Sequence, residues 1–346
     1  MERNTEFLKK LVSSYGCAGY EDDVCDVFVN ECNNYGVVTK DNIKNVKIQR
    51  GNGKTKVMIS AHSDWIAFVV TGISEHGFLH IKNIGGSDRR TIFGANVVIK
   101  TEQNNYINGI VGINPIHVVE YDDWSKINKY EDILVDVGCT TKNDVETLGI
   151  EIGNPIFFKT GNEFIEFGPS KKQIVGTALD DRIGLYITAE VMKRINNENI
   201  TLYGVANSQE EVGLRGATIS AATINPDISI DIDVCPSTES ETNINKSKFS
   251  DVELGKGCVI SYGPDKNINI NKELKRIAKE KNILYQIEVD RVGGTNTDAI
   301  QLNSANCATA LISIPNRNMH TQVEMCNWDD VNGAIEILVE YINNIK

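Results

Sequence analysis

No uninterrupted apolar stretch in the 346 residues approaches the roughly 18 needed to cross a bilayer. The opening MERNTEFLKK lacks the apolar core of a secretory signal. A membrane partner is therefore not expected, and a cytoplasmic location is. CxxC pairs are missing too. The eight cysteines, Cys17, Cys25, Cys32, Cys139, Cys235, Cys258, Cys307 and Cys326, are scattered, which argues against a disulfide framework and for buried reduced thiols. The chain also lacks any Lys/Arg cluster interleaved with aromatics, and its net charge of -12 opposes a phosphate backbone, so nucleic acid is not an expected partner. There is no internal repeat and no low-complexity segment. What remains is a globular composition, 41% hydrophobic, with enough chain for one large domain or two ordinary ones.

Hydrophobic periodicity organises the chain. Leu8, Leu11, Val12 and Tyr15, then Val24, Val27 and Phe28, recur at helical spacing and predict two helices within residues 5–35. KVMISA (56–61) reads as a buried central strand. From residue 67 to 167 the texture is one of short β-like runs (FVVTGI, FLHIKNI, YINGIVGI, ILVDVG, PIFFK, FIEF) split by turns such as EHG at Glu75–Gly77. That pattern suits a small β-barrel or sandwich. Afterwards strands and helices alternate: a helix over 182–194, strands at 201–207 and 228–233, a helix near 271–281, a strand at 308–314, and a last helix. Val331, Ile335, Leu338 and Ile342 line one face of that helix, behind Asp329 as the candidate cap. The expected fold is α/β, a central mixed β-sheet flanked by helices with an inserted small β-barrel. Residues 1–66 and 168–346 form the main domain and 67–167 the insertion.

The informative pattern is positional. KVMISA leads into His62 and Asp64, the strand at 201–207 into NSQEEVGLRG with Glu210 and Glu211, DISIDI into Asp233, and ATALISIP by a short loop to His320. TALDDRIG sets Asp180 and Asp181 at the start of a helix. In open α/β sheets the carboxyl ends of strands share one edge, where ligands bind, so residues far apart in sequence can meet there. Two imidazoles and three carboxylates suit a pair of divalent ions: His62 and Asp233 on one, Glu211 and His320 on the other, Asp180 shared. Glu210, next to a ligand but not itself one, stands where a general base belongs.

Plainer readings exist for each piece. A lone His62 or His320 can be a hydrogen-bonded structural histidine, Asp181 can cap the following helix, and the two glutamates can form an acidic first turn. Gly213 and Gly216 argue against a long helix after them. Asp233 is harder to dismiss, because a charge ending a buried strand needs a partner. His76, His80 and His117, with no carboxylate spacing beside them, read as structural.

Taken together, SAHSD, TALDDRIG, QEEVGLRGA followed by NPDISIDIDV, ELGKG, and ISIPNRNMHTQVEM followed by DDV resemble metallopeptidase family 42, the tetrahedral (TET-type) aminopeptidases, which include glutamyl aminopeptidases and proteins once labelled endoglucanases. The resemblance spans nearly the whole chain. It implies a zinc-peptidase-like catalytic domain and a PDZ-like inserted barrel used in dimer contacts. It also implies a homo-oligomer, a twelve-subunit tetrahedron, acting on short peptides. By resemblance, His62, Asp180, Glu211, Asp233 and His320 hold two divalent metal ions per subunit (zinc or cobalt, with manganese acceptable), Glu210 is the base, and Asp64 orients the ligand histidine. A deacylase or carboxypeptidase on the same two-metal site, or a non-catalytic assembly or peptide-binding protein, are the alternatives. Trp65, Thr177, Asn296 and Cys258 depart from the family pattern. They leave ligands and base intact and bear on pocket shape and substrate preference.

Overall fold

The computed structural model describes residues 3–120, 129–159, 165–239, 244–289 and 294–346. Phe164 of the FIEF run and Gly293 of the GGTNTDAIQ segment lie outside them. In chain order the helices are α1 (Thr5–Ser13), α2 (Asp22–Cys32), α3 (Lys142–Thr147), α4 (Leu179–Arg194), α5 (Arg215–Ile224), α6 (Lys246–Phe249), α7 (Ile268–Glu280), α8 (Asn296–Asn303) and α9 (Trp328–Asn343). The strands are β1 (Val37–Lys40), β2 (Val46–Arg50), β3 (Thr55–His62), β4 (Ala67–Ile73), β5 (Phe78–Ile84), β6 (Asn96–Lys100), β7 (Tyr106–Val111), β8 (Leu134–Asp136), β9 (Pro155–Phe158), β10 (Ile165–Phe167), β11 (Gln173–Gly176), β12 (Ile200–Asn207), β13 (Ile228–Pro236), β14 (Cys258–Tyr262), β15 (Tyr285–Val289), β16 (Ala308–Asn316) and β17 (Glu324–Asn327). Two compact units emerge: Met1–Asp64 with Asn162–Met319 and Val323–Lys346, and Trp65–Gly161 with His320–Gln322.

The first unit is built on an eight-stranded mixed sheet in the order β1-β2-β12-β3-β13-β16-β14-β15. Its centre is parallel, β12 with β3, β3 with β13, and β13 with β16, while β2 and β14 pair antiparallel at the flanks. The period of two in a strand explains why the central runs are apolar throughout. On β3, Val57, Ile59 and Ala61 enter the large core shared with α1, α2, α4, α7 and α9, and Met58 enters a smaller one with Ala217, Ala221 and Ile224 of α5 and Ile300 of α8. Each such Val, Ile or Met side chain, fully buried, contributes roughly 1.5–3 kcal/mol. A three-stranded antiparallel sheet, β10-β11-β17, belongs to the same unit. The second unit is a closed six-strand barrel, β4-β5-β8-β7-β6-β9. The expected turn at Glu75–Gly77 joins β4 to β5, with Gly77 at φ 82, where a glycine avoids strain. Its α3 opens on a capping box between Thr141 and Asp144.

Several boundaries move. Helix α1 stops at Ser13, so Tyr15 of the helical stripe lies beyond it. The cap of α9 is Asn327, whose side chain accepts the amide of Asp329, rather than Asp329 itself. All four stripe residues of α9 are fully buried. A ten-residue helix, α5, does follow the glutamates despite Gly213 and Gly216. All eight cysteines are free, and six of them are buried. Among the described residues no helix is long and apolar enough to cross a membrane.

Candidate metal centre

His62 is the last residue of β3, and its register partner on β12 is Asn207, the last residue there. Ser63 ties the two ends: its amide (2.7 Å) and its hydroxyl (3.0 Å) both donate to the Asn207 carbonyl. The segment with Asp64 and the turn with Glu210 and Glu211 therefore leave the sheet side by side. On the other flank of β3, pairing with β13 ends at Asp231 opposite Ser60. Asp233 projects two residues further along β13, inside a strand that runs on to Pro236 instead of ending at 233. Asp180 and Asp181 precede the regular part of α4 in non-helical backbone (φ -79, ψ 102 and φ -120, ψ 42), joined by a cis peptide bond.

The imidazole of His62 is buried and constrained at both nitrogens. Nδ1 donates to the main-chain carbonyl of Asp64 at 3.1 Å, and a carbonyl can only accept, so Nδ1 carries a proton. Nε2 lies 2.9 Å from Asp180 Oδ1 and 4.0 Å from Asp233 Oδ1. A lone pair cannot sit that close to a carboxylate oxygen without a proton or a cation between them. Burial opposes the charged ring, yet the carboxylates of Asp180 and Asp64 and the charges of Glu210 and Asp180 outweigh it and hold His62 well above its ordinary pKa.

Acids crowd this point. Burial, then the charge of Asp181, pushes Asp233 well above the ordinary carboxylate range. Burial does the same to Asp181, with Asp180 and Asp231 adding to it. Burial pushes the half-buried Glu210 up to about 8, helped by Asp64, Glu211 and Asp180 and opposed by His62. One compensating cation is Arg182, fully buried, which donates through Nη1 to the Ser63 carbonyl and through Nη2 to Gly16 at 3.4 Å. The remaining negative charge has the chemistry of a divalent-cation site, where ionised acids and a neutral imidazole are all stabilised at once.

The donor atoms are close enough for that. His62, Asp181 and Asp233 each bring one within 4.8 Å of the others, as do Asp180 and Glu211. Asp180 thus neighbours both His62 and Glu211. Asp181, weighed above as a helix cap, does cap: Oδ1 accepts the amide of Gly184 at 2.9 Å, while Oδ2 accepts the amide of His62 at 3.1 Å. It braces the histidine's backbone as well, a role its position in the sequence does not signal. Asp64 likewise does more than face the ring. Its carboxylate stands 3.6 Å from Nδ1, and its two oxygens accept the amides of Glu210 (2.9 Å) and Glu211 (3.1 Å).

His320 falls in the second unit, at φ 59, with Nδ1 bonded to the Gly86 carbonyl at 2.9 Å, which leaves the lone pair on Nε2. Among the described residues His76, His80 and His117 join no metal-type group. Of the four departures, Trp65 packs on Phe158 within the second unit (ring centroids 5.4 Å). Thr177 donates to the Val12 carbonyl at 3.2 Å, and Cys258 and Asn296 are buried.

Comparison with known proteins decides the family. The family model for M42 glutamyl aminopeptidases matches residues 44–337. The chain belongs to the M42 family. Among curated M42 relatives, it is 32% identical to the lysyl aminopeptidase of Pyrococcus furiosus over 99% of this chain and 97% of that protein. The TET aminopeptidase of the marine sediment archaeon Thaumarchaeota archaeon SCGC AB-539-E09 superimposes with a TM-score of 0.92 at 28% identity, covering 99% of this chain and 96% of that one. The TET1 peptidase of Pyrococcus horikoshii, which can assemble into a tetrahedron or a large octahedral shell, gives 0.86 at 26% identity over 98% and 99% of the two chains. As an M42 member this protein is a peptide-bond hydrolase, a metal-dependent aminopeptidase that uses divalent metal ions.

Proposed function

We propose that the protein removes the N-terminal residue of short peptides with two divalent cations and Glu210 as general base. His62 and Asp233 would hold one cation, Glu211 and His320 the other, with Asp180 shared. The observation that carries the reading is the placement of Asp180, 2.9 Å from the His62 ring nitrogen and within 4.8 Å of a Glu211 oxygen. Bound cations of this kind supply Lewis acidity toward the scissile carbonyl and acidify water at the site. Zinc, cobalt and manganese all accept this mixed nitrogen and oxygen set.

The protein's own part is positioning and proton transfer. Asp64 fixes consecutive amides of Glu210 and Glu211, so two neighbouring carboxylates leave one rigid turn for different tasks. Glu211 holds metal. Glu210 takes a proton from the attacking water and delivers it to the leaving amine. In Glu210→Gln the carboxylate is lost while the ligand set stays, so metal content is retained and kcat falls by roughly 10²–10⁴. Stopped turnover with intact metal supports the assignment, and near-normal turnover sinks it. Hydrolysis of an N-acetylated peptide in preference to its free-amine copy would replace the aminopeptidase reading with a deacylase.

Assembly belongs to the same proposal. The likeness to TET1, solved as a dodecamer and able to form a tetrahedron or a large octahedral shell, supports self-association of this chain, with twelve subunits as the expected number; a PDZ-like role of the barrel in contacts between subunits is part of the proposal. Mass in solution tests it.

A further inference from the structure

We infer that Glu21 is a positioning residue for the Gln209–Glu211 turn, accepting the amide of Gln209 and so helping to set where the Glu210 carboxylate stands. This rests on Glu210 being the base. Three successive amides of that turn each meet a buried acid: Gln209 donates to Glu21 Oε1 at 3.2 Å, Glu210 to Asp64 Oδ1 at 2.9 Å, and Glu211 to Asp64 Oδ2 at 3.1 Å. Gln209 sits at φ 55, a left-handed conformation that a side-chain-bearing residue adopts only when its surroundings hold it there. The carbonyl side of the turn is anchored as well, with Glu210 O accepting from Gly213 (2.9 Å) and Leu214 (3.0 Å). Asp64 takes the second and third of these amides, one on each oxygen, and Glu21 takes the first. Without Glu21 the first of the three would lose its partner.

Glu21 is fully buried, and its placement is otherwise hard to explain. It occupies the N-cap position of α2 yet makes no side-chain capping bond to that helix. Its Oε1 instead accepts Gly19 at 2.9 Å and, 188 residues away in sequence, Gln209. The same N-terminal loop reaches the His62–Asp64 segment through Arg182, which bonds both the Gly16 and the Ser63 carbonyls. A purely structural role would confine Glu21 to closing its own loop through Gly19. The two roles separate by experiment.

The test compares Glu21→Ala, Glu21→Gln, Glu210→Gln and the double variant Glu21→Ala/Glu210→Gln by steady-state kinetics on the metal-loaded enzyme and by backbone amide exchange with and without metal. Glu21→Ala is expected to lower kcat about 10- to 100-fold, the scale of a small misplacement, with KM changed less than about threefold. The Gln209 amide exchanges faster in this variant. Glu21→Gln retains an acceptor oxygen, so it brings both the rate and the exchange back toward the parent, within about threefold in kcat. Because Glu21 acts through Glu210, the double variant is no slower than Glu210→Gln alone. An unchanged Gln209 exchange rate in Glu21→Ala, or losses that multiply in the double variant, would overturn the inference. If Glu21→Ala does not fold, Glu21→Gln decides alone, and a folded Glu21→Gln that loses more than tenfold in kcat also overturns it. A nearly active Glu210→Gln would remove the base assignment instead, and the exchange data would still say whether Glu21 holds the turn.

Discussion

Asp330, in the first turn of α9, is fully buried, and its oxygens accept the amides of Gly255 (2.8 Å) and Gly257 (2.6 Å). Burial nonetheless pushes it up to about 6, the two amides and the neighbouring Asp329 being smaller influences. The folded state then binds more protons than the unfolded one between the ordinary carboxylate value and pH 6. Stability from this group is therefore complete below about pH 4 and is lost as pH rises through 6, at up to roughly 1.4 kcal/mol per unit. Asp330→Asn cannot titrate and gives up one amide bond. Its deficit against the parent, measured by urea unfolding, should be largest near pH 4 and shrink toward pH 7. A deficit that stays constant across that range would contradict this account.

At the scale of elements, the turn bearing Glu210 and Glu211 depends on how α5 is entered. A Cβ on Gly216 would stand 2.2 Å from the Ser208 carbonyl, 2.4 Å from Asn45 Oδ1 and 2.5 Å from the Ser208 amide. Asn45 itself joins the two segments, accepting the Ser208 amide at 2.8 Å and donating to the Gly216 carbonyl at 3.1 Å. Gly216→Ala must push the end of β12 and the helix start apart. It is expected to cost about 1–3 kcal/mol in denaturant unfolding and to lower turnover, and parent-like values in both would show that the backbone has room to yield. This glycine also explains what the sequence hid. Read as a helix breaker, it marks a close approach that lets a helix begin. The strands β3, β12, β13 and β16 were legible because they are buried on both faces and run apolar to a polar end. The edge strands were not: β1 is exposed at three of its four positions and carries no core pattern. That His62, Asp180 and Glu211 come together could be anticipated because metal-ligating types follow short extended or apolar runs. Glu21 could not, since in YEDD an acid gripping a distant amide looks like the acidic first turn of α2.

For the whole molecule, the sharpest question is whether the barrel unit is a domain in its own right. Its strands close on themselves, so each has two neighbours, and the first and last, β4 and β9, pair directly through Phe68 with Ile156 and Val69 with Pro155. Entry and exit are thus adjacent, as they must be for an insertion that leaves its host sheet unbroken. Phe68, Val70, Leu79, Val97, Ile99, Val111, Val135 and Ile156 are at most 1% exposed, a core of ordinary size for a chain of this length. A fragment spanning Trp65–Gly161 should fold alone, with β-type circular dichroism and a cooperative thermal transition, and should bind no transition metal. Absence of a cooperative transition would mean that the barrel is stable only with its host. The unit also exposes Ile110, Ile113, Ile116, Val118 and Ile152, apolar side chains that a contact between subunits would cover. If the barrel mediates contacts between subunits, the isolated fragment should sediment as a dimer at tens of micromolar, roughly where modest interfaces of such domains become populated. A strictly monomeric fragment from a full-length chain that does assemble would move the subunit contacts to the sheet-bearing unit.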